Sequence, residues 1–158
     1  MKIRVPRLPT PLWWLLGASL ALWGQEFLGG VDLLSTLVLP WLQRARRGPS
    51  LAASLVVVVV QEGLSSFPLG ATLAMAGLWA SFLLVARHLD PLNVLFMAGY
   101  TAFLAVWTPW AYGVIAALHD VFVSFPPWDH VALQWGMFFL IWWALDAMLH
   151  RRERHGAV

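Results

Sequence analysis

The chain has no cysteine and very little charge. Without a thiol there is no disulfide, no thiolate nucleophile and no cysteine-ligated metal. Ten basic and eight acidic residues make up 11% of 158 residues, less than half of the roughly 25% that a water-facing globular surface carries. That deficit excludes an ordinary soluble domain. The sequence also lacks the GxSxG, HExxH and P-loop patterns, so no recognised nucleophile, zinc-hydrolase or nucleotide motif supports an enzyme or a cofactor.

What is present is apolar. Hydrophobic residues form 60% of the chain, eleven of them tryptophan, and the mean hydropathy is +0.71. Such a composition places most of the exterior against lipid, and it excludes disordered and collagen-like chains. The pI of about 9.7 does not imply nucleic acid. The net charge is only +2, and the basic residues stand in short clusters between apolar stretches rather than on one basic face.

The clusters set the number of membrane crossings. They are Lys2, Arg4 and Arg7; Arg44, Arg46 and Arg47; Arg87; and Arg151, Arg152 and Arg154, separated by 36, 39 and 63 residues. If all four face the cytoplasm, each interval holds an even number of helices. A bilayer core needs about 20 apolar helical residues, so each interval holds two, giving an all-α integral membrane protein with six crossings and both termini inside. The outer turns then carry Glu26 and Asp32, Glu62, and Asp120 and Asp129.

Prolines mark helix starts, because the first helical position leaves its N–H unbonded in any case. Thr10–Pro11, Gly48–Pro49, Phe67–Pro68, Asp90–Pro91 and Pro126–Pro127 precede five of the six helices, and Thr10 and Asp90 read as N-caps. The expected helices are 11–28, 31–43, 49–64, 68–86, 91–118 and 129–150, in one polytopic domain. Pro40 and Pro109 fall inside spans and should kink them. The second helix is short for a crossing and follows Gly29–Gly30, so either the first hairpin stops short of the far interface or the bilayer is thin there. Lys2, Arg4 and Arg7 before an apolar stretch resemble a signal peptide, but the apolar run continues past Ser19-Leu20-Ala21.

Few groups bear chemistry. Glu62 ends the third helix after an unbroken Val56–Val60 run, either as an end residue reaching for the interface or as a functional carboxylate. Asp146, one turn before His150, reads as an interfacial acid paired with His150 or Arg151. His119–Asp120 and Asp129–His130 are adjacent pairs, not the three- or four-residue spacing of a helical metal site, and read as solvated helix caps. Trp13, Trp14, Trp41 and Trp128 suit the interface. Trp23, Trp79, Trp107, Trp110, Trp135, Trp142 and Trp143 belong to packing or lipid, or else line a cavity. Gly17 with Ala21, Ala76 with Ala80, Gly77 with Ser81 and Gly113 with Ala117 permit close helix approach.

The stretch from Val31 to Arg87 resembles the bacterial rod shape-determining protein MreD family. The matching features are Asp32 opening the second helix, Trp41 with Arg44, Arg46 and Arg47 closing it, Glu62 ending the third, and a Pro68-Leu69-Gly70 turn six residues on. The family usually has Asp where Glu62 stands. The resemblance implies a non-catalytic inner-membrane scaffold of cell elongation. Its expected partners are an MreC-like single-pass protein, a RodA-type glycosyltransferase with its transpeptidase, MreB filaments indirectly, and membrane lipid. The competing expectation is a substrate-binding membrane subunit similar to those of energy-coupling factor transporters, with Trp23, Gln25, Glu62, Trp110 and Tyr112 as conceivable pocket linings.

Overall fold

The computed structural model describes residues 10–28, 32–44, 47–64 and 69–156. Those residues are helical or irregular, with no strand among them. The helices are α1 (Thr10–Phe27), a 3-10 turn (Ser35–Val38), α2 (Leu39–Gln43), α3 (Arg47–Leu64), α4 (Gly70–Val85), α5 (Val94–Leu118) and α6 (Trp128–Gly156). Val94–Leu118 and Trp128–Leu149 are long and apolar enough to cross a membrane, and Gly48–Leu64 and Gly70–Val85 are shorter apolar helices.

The expected second helix does not form as one helix. Asp32–Leu34 is non-helical, and only Ser35–Gln43 winds, first as 3-10 and then as α. The wound part rises about 15 Å, half a bilayer core, and the non-helical residues add up to about 10 Å. The chain nevertheless passes from one end of the bundle toward the other here, because Asp32 bonds Gln61 near the end of α3 while Arg44 bonds Asp146 in the second half of α6. An unwound stretch is tolerated in such a place only when protein surrounds it. Residues 32–40 are all buried.

The remaining boundaries shift for local reasons. Pro40 lies in the first turn of α2, where it costs no hydrogen bond, and so kinks nothing. Asp90 does not cap α5. Its Oδ1 accepts from the Leu92 N–H at 2.9 Å in a turn, and Asn93 is the cap, accepting from the Leu95 N–H at 2.8 Å. Helix α4 starts at Gly70 after Leu69, which has a left-handed φ of 72°. Pro109 stands inside α5 as expected.

Helices α3 to α6 pack in order, α3 on α4, α4 on α5 and α5 on α6, and the second segment lies against α3 and α6. Phe82 meets Phe96, Tyr100 and Trp142 at ring-centroid distances of 5.8, 5.4 and 6.4 Å, within the favourable range for aromatic pairs. Leu39, Leu78, Leu104 and Phe138 complete this core. Four tryptophans tie elements together by donating from Nε1. Trp79 donates to Ser54 Oγ, Trp107 to the Ala74 carbonyl, Trp135 to the Ala98 carbonyl and Trp142 to Gln43 Oε1, at 2.8 to 3.0 Å. Helix α1 sits at the edge, where Ala21 is buried while Leu20, Trp23 and Phe27 are exposed. A Cβ on its Gly24 would lie 2.7 Å from Leu33 Cδ1, so the small residue is what lets α1 approach.

Charge divides between the two ends. Every described Lys and Arg lies at the end that carries the starts of α3 and α5, and Asp32, Glu62, Asp120 and Asp129 lie at the other. Arg44 and Asp146 form an ion pair at 2.9 Å at the basic end. Asp146 thus has a partner on another element; the same-helix contact with His150 or Arg151 that the spacing suggested falls on side chains outside the described residues. Long-range pairing of this kind leaves no mark in sequence spacing.

Candidate functional site

The acidic end holds a cavity of 320 Å³ walled by α1, the unwound segment, α3, α5 and the start of α6. Its polar lining is Gln25, Asp32, Gln61, Thr108, Tyr112, His130 and Gln134, and Leu22, Leu64, Pro109 and Pro126 supply the apolar part. Among the described residues no Lys or Arg lines it.

Asp32 anchors this wall. It is buried, and its carboxylate accepts from the Ser35 N–H at 3.2 Å and the Ser35 hydroxyl at 2.6 Å. This closes the bend that leads into the 3-10 turn, by the carboxylate-to-N–H bond three residues on that a capping Asp makes. Gln61 Nε2 donates to Asp32 Oδ1. Among the described residues its donors are neutral, so the buried carboxylate is held there by hydrogen bonds and not by a cation. Once Nε2 is committed to Asp32, Gln61 Oε1 is buried with no partner. Leaving such an acceptor unpaired costs about 1–3 kcal/mol.

Glu62 makes a second unit beside the cavity. Its carboxylate accepts from the Leu69 N–H at 2.7 Å, the Thr72 N–H at 2.9 Å and the Thr72 hydroxyl at 3.0 Å. The last turn of α3 thereby caps the first turn of α4, where free N–H groups and the helix dipole favour a negative charge. Glu62 is therefore fixed by partners rather than simply extended to the interface. Gly70 brings the backbone against Tyr112, and a Cβ there would lie 2.5 Å from Tyr112 Cδ1. Leu69 is exposed despite its strained φ.

Of the residues singled out in the sequence, Asp32, Glu62, Leu69 and Gly70 meet at this end, linked through the adjacent pair Gln61–Glu62. Pro68 lies outside the described residues. Trp41 is half-buried in α2, away from the corner. Gln25 and Tyr112 do line the cavity; Trp23, Glu62 and Trp110 do not. Sequence reasoning missed Gln61, Thr108 and Gln134 as lining residues. The one available signal was polar residues interrupting apolar helices near the acidic ends. Among the described residues no three His, Asp or Glu side chains converge as a metal site, and His119 Nδ1 instead lies 2.8 Å from the Ile115 carbonyl.

A second recess, of 630 Å³ and mostly apolar, lies between the last turns of α5 and residues 120–126. Trp110, Gly113 and Ala117 form one side, Phe122 and Phe125 the other. A Cβ on Gly113 would meet nothing within 4 Å, so this small-residue face is open.

Comparison with protein-family models, with curated proteins and with solved structures finds no match to this chain.

Proposed function

We propose that this chain is a multi-pass scaffold of the bacterial cell-elongation machinery, non-catalytic and resident in the inner membrane with its basic end cytoplasmic. The observation that carries the reading is the convergence of Asp32, Glu62, Leu69 and Gly70, four residues of the MreD-like pattern, at one end of the bundle, in two adjoining hydrogen-bonded units. That this part of the pattern comes together in space supports the reading. The collection of described basic residues at one end fits the positive-inside rule and a six-crossing topology in which the partly unwound segment serves as the second pass.

The scaffold needs a docking face more than a reaction centre. The open Gly113–Ala117 face of the recess accepts a single partner helix at close range, as an MreC-like protein would present. RodA-type glycosyltransferase and its transpeptidase then join through that complex, and MreB filaments through the cytoplasmic end. Purification of the tagged chain in mild detergent at native expression, followed by mass spectrometry, tests this. An MreC-like protein and cell-wall synthases should co-elute.

One observation favours a second reading. The polar-lined cavity at the acidic end suits a substrate-binding subunit like those of energy-coupling factor transporters. Co-elution of a pair of ATPases in place of cell-wall proteins would select it.

A further inference from the structure

We infer that the cavity at the acidic end binds a small organic solute bearing a protonated amine, its ammonium group received by Gln61 Oε1 and the Asp32 carboxylate. The argument starts from an unfilled requirement. Gln61 is only 6% exposed and its Oε1 has no partner. With Asp32 ionised, exchanging the two ends of the amide would set two acceptors face to face, so rotation does not cure this.

The ligand must therefore bring donors. It should also bring positive charge, because the protein donors to Asp32 are neutral. Asp32 and Glu62 both lie within electrostatic reach of Tyr112 in the same wall, and among the described residues no Lys or Arg lines the cavity to receive an anion. An ammonium has three donors and no acceptor, and its hydrogen bonds to a carboxylate are about twice as strong as neutral ones.

The remaining lining defines the body of the solute. Leu22, Leu64, Pro109 and the Tyr112 ring offer an apolar surface in the same cavity. At 320 Å³ the space lies at the small end of ligand pockets, which run about 300–1,000 Å³. That is more than a bare inorganic cation needs and too little for a lipid. An amine on a compact ring or short branched chain fits both constraints.

The inference does not rest on the scaffold reading, and the two fail separately, one by ligand titration and the other by co-purification. The test uses the purified full chain in detergent with three probes of one shape: cyclohexylamine, cyclohexanol and cyclohexanecarboxylate. Thermal unfolding and calorimetric titration are followed at neutral pH. Cyclohexylamine should bind saturably and raise the unfolding temperature, cyclohexanol should bind about tenfold more weakly, and the carboxylate should not bind. Asp32→Asn keeps the shape and can satisfy Gln61 Oε1 internally through its own amide, so it should fold at least as stably while losing the amine preference. Gln61→Leu provides a second variant that should lose it too. Equal shifts from all three probes, absence of a shift with cyclohexylamine, or an amine preference retained in well-folded Asp32→Asn would each overturn the assignment.

Discussion

Replacing Glu62 should uncouple α3 from α4 in two measurable steps. Its carboxylate receives three hydrogen bonds, two of them from backbone N–H groups at the start of α4. Glu62→Gln keeps one carbonyl oxygen for Thr72 but turns an amide donor toward the Leu69 N–H, losing one bond and the charge at the helix start. A lost cap costs about 1 kcal/mol and the dipole contribution about 0.3–1. Because the group is half-exposed, water recovers part of this, so the expected cost is about 1 kcal/mol. Glu62→Leu removes all three bonds and should cost about 2 kcal/mol. Reversible unfolding in mixed detergent–SDS micelles, followed by tryptophan fluorescence, measures both. A leucine variant within about 0.5 kcal/mol of the parent, inside the range of an ordinary surface change, would refute the capping role.

Four other outcomes are expected. A Cβ at Gly77 would fall inside the Trp107 ring, which its bond to the Ala74 carbonyl holds in place, so Gly77→Ala should cost about 1–3 kcal/mol in the same unfolding assay. Gly99→Ala, with nothing within 4 Å of its Cβ, should be neutral or gain about 0.5–1 kcal/mol. A double-mutant cycle on Arg44→Ala and Asp146→Ala should give a coupling energy of about 1–2 kcal/mol, because the pair is largely buried, with side-chain exposures of 12% and 20%; a coupling near zero would mark it as an ordinary surface pair. In spheroplasts, Phe122→Cys should react with an impermeant maleimide and Arg87→Cys only after permeabilisation. The reverse pattern would invert the topology.

The helical class, the long apolar α5 and α6, and the place of Glu62 at the end of α3 were legible because they rest on local properties: hydropathy, proline position and a carboxylate closing a valine run. The broken second segment was half legible. Its shortness was visible, but Leu33 to Leu42 is apolar enough to read as helix. The signal of unwinding was Asp32 three residues before Ser35, a cap pattern that starts a turn at Ser35 rather than at Val31. Two contacts could not be read at all. Gln61 with Asp32 and Arg44 with Asp146 join positions 29 and 102 residues apart, where no spacing rule reaches. The same holds for the tryptophans, because the sequence shows an indole near mid-helix but not the carbonyl that it finds on a neighbour.

Docking of a partner helix against the open face of α5 is the central claim, and site-specific photocrosslinking in the native cell tests it most directly. A benzoylphenylalanine in place of Ala117, in the recess, is compared with one in place of Leu140, on the exposed face of α6. The account predicts a discrete adduct from position 117 that contains an MreC-like single-pass protein, and no such adduct from position 140. Capture of no protein from position 117, or of the same proteins from both positions, would contradict it.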